Sequence, residues 1–358
     1  MLRAGYLKRY WRMQEALADI TNNVFLLAPA FKDYIWGGER LKTEYGKRTD
    51  IKPLAESWEC STHPDGPSAA VTGAFAGQSL AEIIKAHPQF LGEHGKALAE
   101  EFAHKQGCKD ADLALPILVK LIDAKRDLSV QVHPDDAYAA EHEGQPGKTE
   151  MWYVLDAEPG SSLVCGLKKN VSREELRGAA QDGSIEELLN KVQVRKGDVF
   201  FIEPGTIHAI GAGLVIAEIQ QSSNVTYRLY DYGRLGADGK PRQLHLDKAL
   251  DVADLNGVSA AGSAAHTEYG AFVQLASCRY FTVDRLDLSK LNGFAVMKFD
   301  YNSFHVLLCL DGTVRLAEPG RKNSAWELQL RKGDCVFVPA DGDDFELDGN
   351  AVLLDIYC

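Results

Sequence analysis

The chain writes one short passage twice. VQVRKGDVFFIEPGTIHAI, from Val192, resembles LQLRKGDCVFVPADGDDFEL, from Leu328, and Arg-Lys-Gly-Asp recurs 136 residues on. Two copies of one β-unit are therefore expected, and what surrounds them agrees. Brief runs rich in β-branched and aromatic residues, among them Val192 to Val194, Val199 to Ile202, Leu214 to Ile219, Phe304 to Leu310 and Val352 to Ile356, are divided by Gly, Pro, Asp and Asn. The pattern predicts a mainly β fold of two β-sandwich or jelly-roll units. Helices should be few and short, opened by Ser-x-x-Glu boxes at Ser79 with Glu82, Ser172 with Glu175 and Ser184 with Glu187.

At 358 residues the chain has room for two domains of roughly 150 residues each. The small polar stretch Ser259 to Ser263 marks the boundary, giving a unit over 23–258 and a C-terminal one over 259–358. Residues 1–22 read as an appended helix with Leu7, Trp11, Leu17 and Ile20 on one face. They lack the unbroken apolar core of a signal peptide, and no later run approaches membrane-spanning length. Fifty-one acidic against thirty-nine basic side chains leave a net charge of −12, which repels phosphate backbones and anionic lipid. Nucleic acid and membrane are excluded as partners, no obligate protein partner is implied, and a small anion could bind only at a local cluster of Lys and Arg. The seven cysteines are scattered and never spaced C-x-x-C, which fits a reducing, cytoplasmic setting and no thiolate zinc site.

The chemistry concentrates in the first copy. Period-2 alternation in Leu128 to Pro134 sends Ser129, Gln131 and His133 to one face of a strand. A solvent-facing strand would empty that pattern of meaning, and the sequence alone leaves this open. Glu150 precedes the apolar run Met151 to Leu155, and His208 follows a Pro-Gly turn, so a barrel interior could gather all four polar groups. Two imidazoles, a carboxylate and an amide oxygen suit zinc or a neighbouring divalent ion. In the second copy the corresponding stretch holds Asp341, Asp343 and Asp344 and no His, so one ion per chain is expected.

These residues belong to a wider set of motifs: PAFKDYIWGG (Pro29 to Gly38), AESW (Ala55 to Trp58), PILVK (Pro116 to Lys120), LSVQVHP (Leu128 to Pro134), GKTEMWY (Gly147 to Tyr153), PGTIH (Pro204 to His208), and Glu218 followed by SNVTYRLYDYGR (Ser223 to Arg234). Taken together, over roughly residues 28–358, they resemble the class I mannose-6-phosphate isomerases of the short bacterial type, zinc enzymes of the cupin superfamily. The resemblance implies two cupin-type units, the second degenerate. It makes Gln131, His133, Glu150 and His208 the metal ligands and Arg228 the active-site arginine. It places Lys120, Ser129, Lys148 and Arg234 at or near a phosphorylated sugar, and it leaves residues 1–22 without a counterpart. The implied reaction interconverts mannose 6-phosphate and fructose 6-phosphate through an enediol, with Arg228 stabilising the enediolate. Lys148 and Glu218 are the two candidate proton carriers, Lys148 ranked first. Two alternatives remain at this point: an isomerase of free mannose or another sugar phosphate, and a sugar-responsive metal-binding cupin without turnover. His63, His142 and His305 read as structural, and Trp58 as packing against the site.

Overall fold

The computed structural model describes residues 24–105, 113–236, 239–258, 270–299, 301–320, 324 and 326–358. The expected helix over 1–22 and the expected boundary at Ser259 to Ser263 lie outside the described residues. Three antiparallel sheets dominate, as the punctuated runs require.

A six-stranded sheet has the order Val199–Ile202, Glu150–Ala157, Leu214–Gln221, Ile117–Ala124, Glu56–Cys60, Ala30–Lys32. Its central strands Ile117–Ala124 and Leu214–Gln221 are buried at every residue, which explains why they read as nearly unbroken apolar runs. One face, with Val119, Leu121, Met151, Ala217 and Ile219, packs against Phe25, Val283, Phe304, Val306 and Phe337 of the C-terminal sheet. The other, with Ile122, Val154, Leu214 and Ile216, packs against Leu128, Leu163 and Ile210 of a five-stranded sheet. That second sheet runs Tyr227–Tyr230, Val130–Val132, His208–Ile210, Ser162–Leu167, Leu189–Gln193.

The C-terminal sheet is led by the long strands His305–Ala317 and Phe345–Tyr357, and it takes in two strands from the start of the chain. Phe25 pairs with Phe337 and Leu26 with Val336, while Leu27 pairs with Ala70. The inside of this unit is apolar, closed by Leu307, Val314, Leu328, Val336, Phe345 and Leu353. Asp341, Asp343 and Asp344 are exposed in the turn before Phe345.

The repeated Arg-Lys-Gly-Asp becomes the same turn twice. Arg195 N donates to Asp198 Oδ2 at 2.8 Å, and Arg331 N to Asp334 Oδ2 at 2.9 Å. Gly197 and Gly333 adopt φ of 93° and 91°, a region that favours glycine.

Helices depart from the Ser-x-x-Glu expectation. Ser79 and Glu82 close a reciprocal box on Leu80–Ala86. Ser172 caps Arg173–Asp182 through Glu175 N, but the Glu175 carboxylate pairs with Lys169 instead. Ser184 caps nothing: its hydroxyl donates to Asp182, and only the four-residue turn Ile185–Leu188 follows. Further helices among the described residues, Arg40–Thr43, Gly92–Lys105, Asp136–Glu143 and Leu246–Val252, lack that signature; Asp136–Glu143 is capped by Asp135, whose side chain accepts from Tyr138 N. Gly92–Lys105 is 14 residues long, longer than the expected short helices. Among the described residues no helix is long and apolar enough to cross a membrane.

Candidate active site

Two rows of side chains face each other between the six- and five-stranded sheets. Cross-strand neighbours share a face, so the register lines up Trp58, Lys120, Glu218 and Trp152 across four strands of the larger sheet, with Glu150 opposite Gln220 one step along. Across the smaller sheet it lines up Arg228, Gln131 and His208. The Trp152 ring meets the His208 ring edge-on with centroids 5.4 Å apart, which fixes how the rows oppose. The face carrying Ser129, Gln131 and His133 thus looks into the barrel and not into solvent.

At the centre, His133 Nδ1 donates to Val225 O and His208 Nδ1 to Thr206 O, each at 2.8 Å. Both rings therefore turn the lone pair of Nε2 inward, and these nitrogens lie 3.1 Å apart. Burial, reinforced by Lys148, lowers both imidazoles, His208 to about 4 and His133 well below its ordinary value, so both are neutral at neutral pH. Glu150 completes the group, with carboxylate oxygens 3.8 Å from His133 Nε2 and 3.4 Å from His208 Nε2. Its Oε1 is buried without a hydrogen-bond partner. Lys148 Nζ meets His133 Nε2 and Glu150 Oε2, but Glu150 Oε1 beside the His208 nitrogen is left without a donor, and a buried acceptor so left is costly unless a cation joins the group. The donors fit a divalent metal ion, and His133, Glu150 and His208 form a metal-capable group with all three residues buried. Gln131 Nε2 lies 3.3 Å from His208 Nε2, so the amide borders the group, and with the amide turned over its oxygen would face it as a fourth donor.

Two lysines border this centre. Lys148 Nζ is 2.7 Å from Glu150 Oε2, 3.1 Å from His133 Nε2 and 3.9 Å from Glu218 Oε1. Lys120 donates to Glu218 Oε1 at 3.0 Å, and Trp152 Nε1 to Glu218 Oε2 at 3.0 Å. Burial pushes the Glu218 carboxyl up, but Lys120 and Lys148 outweigh it and hold the group at about 2. Glu150, more isolated, is raised by the same burial against the pull of Lys148. Removing such charges from water costs several kcal/mol per ion, a cost that binding or catalysis explains better than stability does.

A cleft of about 270 Å³ leads in past Tyr34, Trp36, Ser129, Arg228 and Arg242. Arg228 Nε donates to Ser129 Oγ at 3.2 Å and Nη1 to Gln243 O at 2.8 Å, which holds the guanidinium over the cleft. Arg234 is placed differently from its sequence neighbours: it is not among the cleft-lining residues, and its guanidinium donates to Asp231 and to Asp127 O. Trp58 is fully buried beneath Lys120, whose Nζ is 5.1 Å from the ring. His63 packs edge-on against Trp58, His142 stacks on Tyr138, and His305 is bonded to Asp355.

Sequence reasoning missed Trp152 and Arg242. Trp152 was within reach of the period-2 argument, since it lies two residues after Glu150 and so on the same face. Nothing local marks Arg242; the fold brings it to the cleft.

Residues 24–159 match the family described as phosphomannose isomerase type I, catalytic domain, and residues 271–358 match mannose-6-phosphate isomerase, cupin domain. The mannose-6-phosphate isomerase of Streptococcus mutans is 35% identical over 322 residues, spanning 89% of this chain and 93% of the relative. The Bacillus subtilis mannose-6-phosphate isomerase ManA is 33% identical over 335 residues, 93% of this chain and 98% of the relative. A crystal structure of mannose 6-phosphate isomerase from Bacillus subtilis superposes with a TM-score of 0.79 at 32% identity, covering 94% of this chain and 99% of that one.

Proposed function

This chain belongs to the type I phosphomannose isomerase family, and from that membership we infer that it interconverts mannose 6-phosphate and fructose 6-phosphate. The observation that carries the assignment to this site is the convergence of two imidazole lone pairs and an unsatisfied carboxylate oxygen beside an arginine-lined cleft.

We assign His133, Glu150, His208 and Gln131 as ligands of one divalent ion. The mixed nitrogen and oxygen donors favour zinc. When bound, such an ion supplies Lewis-acid polarisation of a sugar oxygen. The chain's own groups then have separate tasks. Lys148, acting as the free amine, carries the proton on Nζ: the C2–H bond of the aldose breaks, its electrons enter the enediolate, a proton passes from the C2 oxygen to the C1 oxygen, and Nζ returns the carbon-bound proton at C1. Arg228, oriented by Ser129, faces the oxygen on which negative charge grows. Glu218 is a weaker candidate for the base, because a carboxylate held at about 2 by two lysines has little affinity for a proton. Instead it fixes Lys120, and with it the wall of the cleft. Lys120, Ser129 and Arg234 serve the phosphorylated end of the sugar, Arg234 acting through Asp231.

The 23–258 unit is the catalytic cupin in this reading, and the 259–358 unit its non-catalytic partner, supported by the apolar interior of the latter. The free thiols of the described cysteines support a cytoplasmic enzyme. A coupled assay for fructose 6-phosphate formed from mannose 6-phosphate tests the function. Turnover abolished by chelation and restored by zinc is expected; full turnover in protein shown by elemental analysis to be metal-free would overturn the metal assignment, and no turnover in the metal-loaded protein would overturn the function.

A further inference from the structure

Asp231 holds two guanidiniums at once. Arg242 donates to it through Nε at 2.7 Å and also through Nη2; Arg234 donates through Nη2 at 2.5 Å. One carboxylate between two arginines leaves a surplus positive charge. Burial pushes the Asp231 carboxyl up, yet hydrogen bonds from Arg242 and Arg234 keep it below the usual carboxylate range, so it stays ionised and the arrangement stays fixed.

The two arginines are not equivalent. Arg234 is turned away: its Nη1 donates to Asp127 O, its Nε to Asp231 O at 3.2 Å, and its guanidinium carbon sits 5.0 Å over the Tyr232 ring. Arg242 lines the cleft together with Arg228. The backbone explains this. Gly236 N donates to Lys240 O at 2.7 Å and Leu235 bridges Pro241, so the chain doubles back just before Arg242. It is then fastened alongside the catalytic strand, with Gln243 O accepting from Arg228 and His245 N donating to Arg228 O at 2.8 Å.

Four cations line the cleft: Lys120, Lys148, Arg228 and Arg242. The lysines are buried and matched to Glu218 and Glu150. Arg228 is oriented by Ser129 toward the reacting carbons in the reading above. A guanidinium has five N–H donors and the Asp231 edge engages two of Arg242's, so its remaining donors suit the oxygens of a phosphate monoester.

We propose that Arg242 binds the phosphate directly, in addition to Lys120 and Ser129, and is held in its pose by Asp231, with Arg234 as the outer brace that positions Asp231. The proposal rests on the isomerase reading for the identity of the sugar, but not for the binding of phosphate.

The test compares Arg242→Gln, Arg242→Lys and Arg234→Gln in the metal-loaded enzyme, reading KM and kcat for mannose 6-phosphate and competition by inorganic phosphate. Arg242→Gln should raise KM by about 10- to 100-fold, the range for losing charge-assisted hydrogen bonds, with kcat within about 3-fold and phosphate competition weakened by a similar factor. Arg242→Lys should recover part of both, because charge returns without the fork. Arg234→Gln should raise KM less than Arg242→Gln does. An unchanged KM in Arg242→Gln, a raised KM with undiminished phosphate competition, or a larger effect from Arg234→Gln would each overturn the proposal. Should the wild type turn over no mannose 6-phosphate, the isomerase reading fails. Calorimetric binding of inorganic phosphate, lost in Arg242→Gln if the proposal holds and retained if it does not, then decides on Arg242 alone.

Discussion

Tyr280, on the C-terminal side of the chain, donates its hydroxyl to Asp136 Oδ2 at 2.9 Å, and this bond reaches the active site in two steps. The other oxygen of Asp136 accepts from Gly147 N and from Gln221 Nε2, both at 2.9 Å, and Gln221 Oε1 accepts from Thr149 N at 2.8 Å. Lys148 lies between the two amides so held. Nor can Gly147 be replaced without movement, since a Cβ there would lie 2.5 Å from the backbone of Asp135. The C-terminal unit, whose described residues add nothing to the group of His133, Glu150 and His208, thus helps to position the loop of the proposed proton carrier.

Tyr280→Phe should therefore lower kcat by about 5-fold, the worth of one hydrogen bond near 1 kcal/mol, and leave KM unchanged. Steady-state kinetics check this. An unaltered kcat would show that Asp136 and Gln221 hold the loop unaided.

Metal content should follow His208 and ignore the acidic turn of the second copy. Elemental analysis of the wild type should find about one ion per chain, falling to nearly none in His208→Ala. A second ion that survives that change and disappears on replacing Asp343 and Asp344 would place a site in the C-terminal unit.

Arg228→Lys keeps the charge but loses the fork. Turnover should drop on the order of 10²-fold, as when one oxyanion-stabilising donor is removed, with a much smaller change in KM. Equal losses in binding and turnover would assign Arg228 to holding the ground state.

Exchange of substrate hydrogen with solvent separates the two bases. It should vanish in Lys148→Met and persist, slowed, in Glu218→Gln. The second variant is also expected to lose about 3–5 kcal/mol of stability, since it strips a buried lysine of its partner. The opposite exchange pattern, in folded variants, would make Glu218 the base.

Asp231 gives stability a defined pH dependence. Its carboxyl is held below its unfolded value, so the unfolded chain binds the proton first as pH falls. The contribution is complete above the unfolded value of about 4 and lost as pH drops through the folded one. Denaturant unfolding of wild type and Asp231→Asn should show a constant gap from pH 5 to 8 that narrows only below about pH 4. A gap that closes between pH 6 and 8 would point to a different group.

Much of the site was legible because strand periodicity is local. That Ser129, Gln131 and His133 share a face needed only the alternation of one strand, though not that this face looks inward, and the repeated turn needed only a glycine and an aspartate at fixed spacing. What escaped was set by other means. Asp135 caps its helix with no Glu three residues on, where the chain has Tyr138, so the Ser-x-x-Glu signature could not find it. The position of Arg242 depends on a hairpin and on a carboxylate eleven residues before it. The exchange of Phe25–Ala28 into the C-terminal sheet leaves no local mark, because nothing in four apolar residues says which distant edge they will complete.

That exchange also orders events at the ribosome. Both sheets that bear the candidate site are built from strands between Ala30 and Tyr230, whereas Phe25 and Leu26 find their strand partners only at Phe337 and Val336, Leu27 and Ala28 pairing earlier with Ala70 and Ala69. At roughly 5–20 residues per second, the nascent chain can finish its catalytic half while its first described strand, Phe-Leu-Leu-Ala, waits tens of seconds for an edge that has yet to be made. One edge of the earliest described segment to emerge is thus among the last to be paired, and a chain released before Val338 leaves Phe25 and Leu26 held on the Ala69–Ala70 side alone.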